Sequence, residues 1–545
     1  MIYDVCIIGS GVGGSGVAYT LAMSGKKVVV LERGLFYREK DFSKDEIAYC
    51  KRDIITPNLK ESYHTIESLE DEKWIKTATY DSENSFFNGN VVGGSSNFMS
   101  GYFHRFKPND FRLKSTYPEI KGANIMDWVI DYSELEPYYE KVERLVGISG
   151  EVTPHKYHEP RSTPNFPYPP LDEHPISKLI DKSCHKLGFI PYKTPRAIIS
   201  KPKDKRDNCY YSNYCGSYGC SSGAKGSARV SLLEPALKSG NLTIITSAFV
   251  KKLEEKNKKV TKAIYIDTQT LKEHYIKAKI FVVANQAVES CRLLLNSKSL
   301  NFPNGLANNS NQVGKNILFS AGGVGSGGFD FNSMPIDELM KEGLFVNRSL
   351  CDWYEIDGVK GGIIDLLFEH TNPISKAIKE RWQDGELIWG EKLQDKIFYK
   401  FTKTRRVNFE IFNDWLPNDN CFVSVDDKYR DIYGVPVANI RIGSHPHNLK
   451  IANILAQKAK KLLIEMGAKD INISISPYPP SNLQAGGCRF GDNPQTSVLN
   501  KYCQTHEIKN LFVTDGSFMP TGGSLPYTWT IYANSFRVGE YILNI

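Results

Sequence analysis

Residues 3–34 read YDVCIIGSGVGGSGVAYTLAMSGKKVVVLERG. The continuous apolar run at 5–8 is typical of a central parallel strand that is covered on both faces. Gly9, Gly11 and Gly14 follow it at G-x-G-x-x-G spacing. In this motif the first glycine permits a tight turn, the second lets the backbone approach a pyrophosphate, and the third lets a helix pack on the strand. The stretch therefore predicts a dinucleotide-binding turn between a strand and a helix.

The residues that follow complete a strand–helix–strand unit. Residues 14–24 predict the helix, whose N-terminal N–H groups and dipole favour phosphates. Residues 27–31 predict the second strand, and Glu32 follows Gly14 by 18 residues, close to the ~20 expected of an acid that binds a ribose. A carboxylate there would repel a 2′-phosphate, so the motif favours FAD or NAD over NADP. The alternative, a glycine-rich turn without a ligand, is disfavoured by the combination of strand, helix, second strand and acid.

The composition is that of an ordinary folded protein. The 545 residues suit roughly two to four domain-sized cores, and 41% hydrophobic with 24% charged residues indicates no disorder. The net charge of +7 is small and the lysines are scattered, so we expect no nucleic-acid partner. Their densest run, KKLEEKNKKVTK at 251–262, indicates a solvated hairpin tip.

Apolar runs and cysteines bear on the compartment. No apolar run approaches the ~18–20 residues that cross a bilayer, so we expect no transmembrane segment. The first predicted strand begins at Tyr3 and leaves no room for a signal peptide, which favours a cytoplasmic location. Eleven cysteines without repeated pair spacing fit a reduced compartment better than a disulfide framework.

A second glycine-containing loop separates FAD from NAD. Residues 87–105 read FNGNVVGGSSNFMSGYFHR, and an NAD domain would not need such a loop. Here the chain resembles the glucose–methanol–choline (GMC) oxidoreductase family, in which a GxVxGGSS segment lies along the pyrophosphate and the flavin of FAD. The residues that stand in this pattern are Gly89, Val91, Gly93, Gly94, Ser95 and Ser96.

The resemblance to the GMC family runs nearly from end to end. Residues 246–253 resemble a strand whose backbone meets the adenine, and residues 280–297 are similar to the strand–turn–helix that closes the nucleotide domain, with Asn285 in place of a usual glycine. Residues 311–317 and 510–523 also match, the latter with Asp515 at the family's FAD-contacting acid. The cofactor contacts implied by motif and resemblance are Gly9, Gly11, Gly13, Gly14, Glu32, Arg33, Gly89, Val91, Gly93, Gly94, Ser95, Ser96, Asn97, Val250, Asn285, Asp515, Gly516 and Thr528.

The fold implied is an α/β FAD-binding Rossmann-like domain with an α+β substrate domain built on an antiparallel sheet. Short aromatic and β-branched runs between about 335 and 445 alternate with turn residues, as such a sheet requires. We expect a discontinuous FAD-binding domain at 1–110, 205–330 and 480–545. The substrate-binding domain is then expected at 111–204 and 331–479.

Two stretches narrow the resemblance to one branch of the family. Residues 409–440 and 215–237 look like the branch that contains gluconate, glucose and fructose dehydrogenases and pyranose oxidases. That branch mostly oxidises sugars and related polyols. Some members attach FAD covalently through a histidine just after GGS, where this chain has Ser96 to Met99, so a dissociable, non-covalent FAD is expected.

The usual catalytic base is missing from both of its expected positions. In the GMC family a loop close to H-x-x-G-G-T-R-M-G supplies a histidine that takes the hydroxyl proton while the carbon hydrogen leaves as hydride to flavin N5. LQAGGCRFG at 483–491 puts Leu483 in that position. A second histidine or asparagine normally stands directly before a proline near the C-terminus, where this chain has Leu525 ahead of Pro526. General base catalysis contributes typically ~10²–10⁴-fold, so the loss matters.

Three explanations of the missing base stay open. In the first, the base is a different nearby group, and Tyr527 and Gln484 are the closest candidates. A tyrosine with its ordinary pKa of ~10 is, however, a poor base at neutral pH. Further candidates for the base, which nothing in the sequence places in the site, are the histidines His104, His445, His447 and His506. Alternatively the substrate is easily deprotonated or is assisted by its own amine. The third explanation is a redox-silent flavoprotein, a lyase or binding protein, as in the hydroxynitrile lyases of the same superfamily.

The C-terminal helix favours flavin chemistry. Residues 529–543 continue with helical apolar spacing, Ser524 is expected to cap, and Pro526 suits a first turn. In the family this helix points its positive end at the flavin, where it would stabilise the anion formed on reduction. We therefore expect FAD-dependent oxidation of a hydroxyl on a sugar, aminosugar or polyol, with oxygen, a quinone or an electron-transfer protein as acceptor.

Cysteine spacing raises one further hypothesis. Cys209, Cys215 and Cys220 lie within twelve residues, in a region where some FAD-dependent sugar dehydrogenases resemble iron–sulfur proteins. Thiolates ligate such clusters, but these spacings are no recognised signature. Free or paired structural cysteines are the expected alternative, and no other metal site is expected.

Overall fold

A computed structural model describes residues 2–47, 62–82, 86, 89–320, 322–478 and 483–545. Within these residues the helices are α1 (Val12–Met23), α2 (Leu113–Thr116), α3 (Tyr132–Val142), α4 (Ile176–Leu187), α5 (Glu234–Leu237), α6 (Ala287–Asn296), α7 (Ile336–Leu339), α8 (Pro373–Lys379), α9 (Gly390–Thr402), α10 (Pro446–Glu465) and α11 (Thr528–Leu543).

The strands build three large sheets and two small hairpins. They are β1 (Ile2–Ile8), β2 (Val28–Leu31), β3 (Thr65–Glu70), β4 (Lys73–Ala78), β5 (Pro191–Lys193), β6 (Leu242–Ile245), β7 (Ala248–Lys256), β8 (Lys259–Asp267), β9 (Glu273–Val283), β10 (Lys315–Phe319), β11 (Gly323–Asp330), β12 (Arg348–Leu350), β13 (Glu355–Ile356), β14 (Val359–Lys360), β15 (Gly362–Phe368), β16 (Trp382–Gln383), β17 (Glu386–Leu387), β18 (Thr404–Asn413), β19 (Phe422–Arg430), β20 (Pro436–Arg441), β21 (Lys469–Ser474), β22 (Gln484–Gly487) and β23 (Leu511–Val513).

The first sheet is the nucleotide-binding sheet. Its order is β6-β2-β1-β9-β8-β7, and β23 also pairs with β9. The pairs β6–β2, β2–β1, β1–β9 and β9–β23 are parallel, as expected of strands buried on both faces. Strands β7 and β8 form an antiparallel hairpin whose tip, Asn257 and Lys258, has positive φ, as a two-residue hairpin turn requires. The lysine-rich run at 251–262 is thus a hairpin tip, as predicted.

Helix α1 is held between the first sheet and helix α11. A Cβ on Gly14 would come within 2.3 Å of the Gly9 carbonyl oxygen, so the helix approaches the strand as closely as glycine allows. On its other side, a Cβ on Gly16 would come 1.9 Å from Ser535 Oγ, and the Tyr19 ring meets Phe536 edge to face. The strand–helix–strand unit predicted from the N-terminal motif is confirmed.

Two further sheets carry the rest of the core. Their orders are β22-β10-β19-β20-β3-β4 and β21-β11-β18-β15-β12-β5. In the third sheet, β11, β18, β15, β12 and β5 are antiparallel throughout. One face of this sheet packs on α10, where Ile411 and Leu366 share a core with Leu455 and Leu462. The predicted combination of an α/β nucleotide-binding fold with an antiparallel sheet is confirmed, while the predicted domain boundaries stay a prediction.

The expected cap of the C-terminal helix is wrong. Ser524 does not cap α11, which begins only at Thr528. Its N–H donates to Asp414 Oδ1 (3.0 Å) and its hydroxyl to the Gly361 carbonyl (3.1 Å), so tertiary contacts hold it outside the helix. Pro526 accordingly lies before the helix rather than in its first turn.

Candidate active site

A cavity of about 560 Å³ joins the first glycine turn, the second glycine loop and the third sheet. Its volume lies within the range of small-molecule sites. The predicted cofactor contacts that line it are Gly9, Gly11, Gly13, Glu32, Arg33, Gly89, Gly94, Ser95, Ser96, Val250, Asn285, Asp515, Gly516 and Thr528. The motifs read from distant parts of the sequence are therefore brought to one cavity.

The three motif glycines have the distinct surroundings that dinucleotide binding requires. Gly9 has φ +96°, and a Cβ there would come 2.4 Å from the Ala284 carbonyl oxygen. Gly11 differs, because a Cβ there would meet nothing within 4 Å. A Cβ on Gly94 would come 3.3 Å from the Gly11 Cα, so the two glycine loops face each other closely across this space. An elongated anionic group fits between them, against a helix N-terminus that no side chain caps.

Ser10 joins the two glycine loops to the ribose-binding acid. Glu32 accepts hydrogen bonds from the Ser10 N–H (3.1 Å) and hydroxyl through one oxygen, and from the Gly34 N–H (2.9 Å) through the other. The Ser10 hydroxyl oxygen in turn accepts from the Gly93 N–H at 2.9 Å. Burial raises the pKa of Glu32, and these hydrogen bonds oppose that rise. The acid is thus fixed in position before any ligand binds.

Four predicted cofactor contacts lie outside the cavity lining. Gly14 packs α1 on β1, as described above, and Gly93 donates to Ser10. Val91 is fully buried in a small apolar cluster with Phe42 and Phe98. The Asn97 amide donates to the carbonyl oxygens of residues 92 and 94, at 3.0 and 2.9 Å, and so shapes the second glycine loop.

The acid near the C-terminus, Asp515, lies where the cavity meets α1. Its carboxylate accepts from the Ser290 hydroxyl through one oxygen and from the Ser517 N–H (2.9 Å) through the other. A Cβ on Gly13 would come 2.6 Å from the Asp515 Cα, so the two backbones are in close contact. Burial raises the pKa of Asp515. Asn285, nearby in the lining, has its side-chain oxygen 3.0 Å from the same Ser290 hydroxyl oxygen.

The two positions of the usual catalytic residues are apolar and differ in exposure. Leu483 is partly buried and lines the cavity. Leu525 is only 1% exposed and belongs to the core. Their backbones are linked by Ser320, whose N–H donates to the Leu483 carbonyl and whose hydroxyl donates to the Leu525 carbonyl, both at 3.1 Å.

Tyr527 and Gln484, the closest replacement candidates, both line the cavity but have their polar atoms engaged. The Tyr527 hydroxyl donates to the Phe319 carbonyl, and burial raises its pKa well above the ordinary value. The Gln484 side-chain oxygen accepts from Gln286, and its amide donates to the Phe86 carbonyl at 3.3 Å. A buried phenol and an amide are weak proton acceptors, so these contacts favour a structural part for both side chains. Their catalytic assignment stays a prediction.

A carboxylate that the sequence analysis did not single out lies in the same cavity. Glu410, on β18, lines it, and its half-buried side chain has no hydrogen bond or ion pair with any residue that the structure describes. Burial raises the pKa of Glu410 to about 7, and the negative charge of Asp365 adds to this rise. The Arg196 guanidinium acts in the opposite direction.

Glu410 belongs to a row of side chains that crosses the third sheet. The paired positions in this row, from β11 to β5, are Val324, Glu410, Asp365, Ser349 and Tyr192. Asp365 accepts from the Ser349 hydroxyl (2.5 Å), while Glu410 is the row's charged group on the cavity. Cross-strand partners lie on one face of a sheet, so the whole row lies on the face opposite the one that packs on α10. We call its polar members, Glu410, Asp365, Ser349 and Tyr192, the polar floor.

Of the histidines named from sequence, one joins this row. His104 Nε2 lies 3.2 Å from Asp365 Oδ2, and its Nδ1 lies 3.3 Å from the Tyr192 hydroxyl. His445 caps α10 by accepting from the His447 N–H, and His506 hydrogen-bonds Ser497 at 3.0 Å. His445, His447 and His506 do not line the cavity.

His370, which the sequence analysis missed, does line the cavity. It follows β15, and its ring lies so close to Gly216 that a Cβ there would come 2.0 Å from His370 Cε1.

The sequence does contain one signal that could have identified Glu410. It is a single acid inside the apolar run FEIF, within the stretch predicted to form the antiparallel sheet. Acids are seldom buried in such runs without a specific reason.

Cys209, Cys215 and Cys220 lie in one small apolar cluster. The buried Lys225 ammonium donates to the Cys215 carbonyl at 2.7 Å and to the Tyr218 carbonyl at 2.8 Å, which fixes the surrounding loop. Within the described ranges, no group of three or more His, Cys, Asp or Glu side chains has a geometry that could hold a metal ion. The positions of these donors therefore give no support to an iron–sulfur centre.

Comparison with known proteins gives the class of this chain. Two family models described as GMC oxidoreductase match residues 65–319 and 417–535. The chain is 30% identical to 2-methyl-1,2-propanediol dehydrogenase of Mycolicibacterium austroafricanum, with 99% of this chain and 95% of the relative covered. It is 28% identical to the fructose dehydrogenase large subunit of Gluconobacter japonicus, with 99% and 98% covered.

Solved structures agree on the fold. Pyridoxine 4-oxidase from Mesorbium loti superposes with a TM-score of 0.62 at 15% identity, over 100% of this chain and 99% of that one. The chain belongs to the GMC oxidoreductases, a family of FAD-binding enzymes, and the predicted family is confirmed. Among the described residues, no helix combines the length and apolarity needed to cross a membrane.

Proposed function

We propose that this protein is an FAD-dependent oxidoreductase that oxidises a hydroxyl group on a sugar, aminosugar or polyol. The observation that supports this most directly is the continuity of one cavity from the glycine turn at Gly11 to the polar floor at Glu410. A dinucleotide held at one end leaves its reactive ring near a chamber that contains a carboxylate, and alcohol oxidation needs a proton acceptor beside that ring. The named activities of the related diol and fructose dehydrogenases support the substrate class.

The residues of the cavity fit FAD held without a covalent bond. The space over Gly11 and Gly94 suits the pyrophosphate, and Glu32 suits a ribose hydroxyl. Ser96 and Asn97 stand where a covalent attachment would need a histidine, and the Ser96 hydroxyl donates to the Gly93 carbonyl at 2.5 Å. When bound, FAD supplies the oxidant that accepts a hydride from the substrate carbon.

The chain's own residues shape the chamber beside the flavin end. Leu483 and Pro526 supply an apolar wall, and Gln484 is held by hydrogen bonds in that wall. Water exclusion by such a wall strengthens electrostatic effects on a bound hydroxyl. The N-terminus of α11 lies at the same end of the cavity, through Thr528, and its dipole favours negative charge there.

Anaerobic reduction of the bound FAD tests this proposal. The purified holoenzyme, which should be yellow, is mixed without oxygen with hexoses, aminosugars and vicinal diols, and the flavin absorbance is followed. Bleaching by at least one alcohol, with the matching carbonyl product, is the expected result. A flavin that no alcohol reduces, but that dithionite does, would instead indicate a redox-silent lyase or binding protein. Release of FAD by acid precipitation checks that the cofactor is not covalently attached.

A further inference from the structure

We propose that Glu410 is the general base of this site and takes the proton of the substrate hydroxyl. This inference rests on the proposed function. In the step, the O–H bond breaks and its proton goes to a Glu410 carboxylate oxygen. A carbon–oxygen double bond forms, and the hydrogen on the same carbon leaves with both electrons of its bond to FAD, the oxidant.

The position of Glu410 on β18 suits a general base. On β18 the side chains alternate between the two faces of the third sheet, so Phe409 and Ile411 enter the core under α10 while Glu410 and Phe412 line the cavity. The strand therefore directs the carboxylate into the chamber by its pleat alone. A group on a regular strand is positioned more firmly than one on a loop, as a base requires.

The Glu410 carboxylate is also available to accept a proton. A base needs a lone pair that no protein donor occupies. The Asp365 carboxylate accepts from Ser349 and contacts His104, whereas the Glu410 carboxylate has no such partner among the described residues. The negative charge of Asp365 raises the proton affinity of Glu410, and no hydrogen-bond donor among the described residues offsets that rise.

The surroundings of Glu410 also set its proton affinity. The groups that act on Glu410 come from the neighbouring elements. Asp365 lies on β15, Arg196 lies beside β5, and Tyr102 lies in the second glycine loop, while β11 contributes the apolar Val324. Arg196 is itself stacked 3.9 Å from the centre of the Tyr102 ring and bonded to Asn347 at 3.0 Å. Their balance leaves Glu410 with a pKa of about 7, near the optimum for a base that works at neutral pH.

The other titratable groups of the chamber are less suitable. Burial raises the pKa values of Tyr102 and Tyr527 far above neutrality, so both stay protonated. His370 lies against the backbone at Gly216 and lines the cavity, and it is the principal competitor. A His370 variant is therefore compared with the Glu410 variant below.

The test compares Glu410→Gln with the wild-type holoenzyme. With an alcohol that bleaches the wild-type flavin, the variant should lose at least ~100-fold in the rate constant of flavin reduction at pH 8, because base catalysis contributes about that much or more. Its FAD content should stay the same. Glu386→Gln, an exposed acid on β17, is the matched control and should change nothing. His370→Gln should keep the ionisation near pH 7 in the pH profile of the reduction rate, and Glu410→Gln should lose it.

Two further measurements separate a base from a merely structural carboxylate. Glu410→Ala should regain part of its reduction rate when formate is added, since a small carboxylate can then enter the vacated space. Glu410→Asp should retain more rate than Glu410→Gln at equal FAD content. A carboxylate that only supports the wall would show neither effect.

Several results would overturn the assignment. A Glu410→Gln reduction rate within about threefold of wild type does so, as does a variant that only raises KM for amine-bearing alcohols, which indicates an ammonium-binding carboxylate. If the wild type itself is reduced by no alcohol, the proposed function fails and the base fails with it. If the wild type is reduced and Glu410→Gln is reduced equally fast, only the base is wrong.

Discussion

Glu410 on β18 lies directly opposite Asp365 on β15. The two acids differ in their burial and in their hydrogen-bond partners. Asp365 is fully buried, accepts from the Ser349 hydroxyl and contacts His104. Glu410 lines the cavity, and the positive charge of Arg196 only partly opposes the rise in its pKa. The pair therefore combines one carboxylate fixed by hydrogen bonds with another, Glu410, whose raised pKa suits proton exchange at neutral pH.

Opposite shifts of the pH profile should follow from changing the two charges around Glu410. Asp365→Asn removes a negative neighbour, which lowers the pKa of Glu410 and moves the rise in flavin reduction rate to lower pH. Arg196→Gln removes a positive neighbour and moves it to higher pH. Rate constants from pH 5 to 9 give both midpoints. Midpoints that coincide with the wild type would show that another group titrates.

Glu410→Gln should also change the pH dependence of stability without any substrate. The pKa of Glu410 is raised from 4.5 to about 7, so the folded state binds this proton more tightly than the unfolded chain. The resulting stability is fully present below about pH 4.5 and is lost as the pH rises through 7, by at most about 3 kcal/mol at 1.36 kcal/mol per pKa unit. Glutamine does not titrate.

Between pH 5 and 8, the melting temperature of Glu410→Gln should therefore rise relative to that of the wild type. Glu386→Gln provides the matched comparison, because its carboxylate is exposed. Parallel curves for Glu410→Gln and wild type would mean that burial does not perturb this acid.

Tyr527→Phe separates the two interpretations of that tyrosine. Because the hydroxyl donates to the Phe319 carbonyl, its loss leaves a buried acceptor without a donor and should destabilise the fold by roughly 1–3 kcal/mol. The ionisation near pH 7 should remain, and the reduction rate should fall far less than in Glu410→Gln. Loss of that ionisation in Tyr527→Phe would instead identify Tyr527 as the general base.

The nucleotide half of the site could be predicted from the sequence because its constraints are local. Gly9, Gly11 and Gly14 occupy a turn of six residues, and each has the surroundings that its place in the motif requires. Glu32 is tied to that turn through Ser10, so the spacing between them already implies contact. Short-range geometry and chemistry together carry this part of the prediction.

The catalytic half could not be predicted because its contacts are long-range. Glu410 meets Asp365 only through the register of β18 against β15, which no local pattern states. The same reason explains the wrong cap, since the Ser524 N–H is taken by Asp414, 110 residues away. Tyr527 and Gln484 were predicted instead because they lie close in sequence to Leu483 and Leu525, the positions of the family's catalytic residues.

Gly11→Ala tests the cofactor site without disturbing the fold. The added methyl group meets no protein atom within 4 Å, so it enters only the space assigned to the pyrophosphate. The purified variant should contain less FAD and need a higher FAD concentration for reconstitution, with the unfolding temperature of the FAD-free chain unchanged. Gly328→Ala, where the nearest atoms lie 3.4 Å away, is the matched control. Full FAD occupancy in Gly11→Ala would contradict the proposed placement.

Leu483→His restores a histidine at the family's usual position and asks whether the site can use it. Leu483 lines the cavity, so an imidazole there would reach the same chamber as Glu410. With Glu410 intact, we expect the replacement to leave the midpoint near pH 7 and to raise the reduction rate by less than tenfold, because a base is already present. In the Glu410→Gln background the same histidine should recover part of the lost rate, since the missing function is then proton removal. Flavin reduction by the four proteins, measured under one set of conditions, gives the coupling between the two positions. Equal rate changes from Leu483→His in both backgrounds would mean that the two groups act independently, and Glu410 would then have no part in taking the proton.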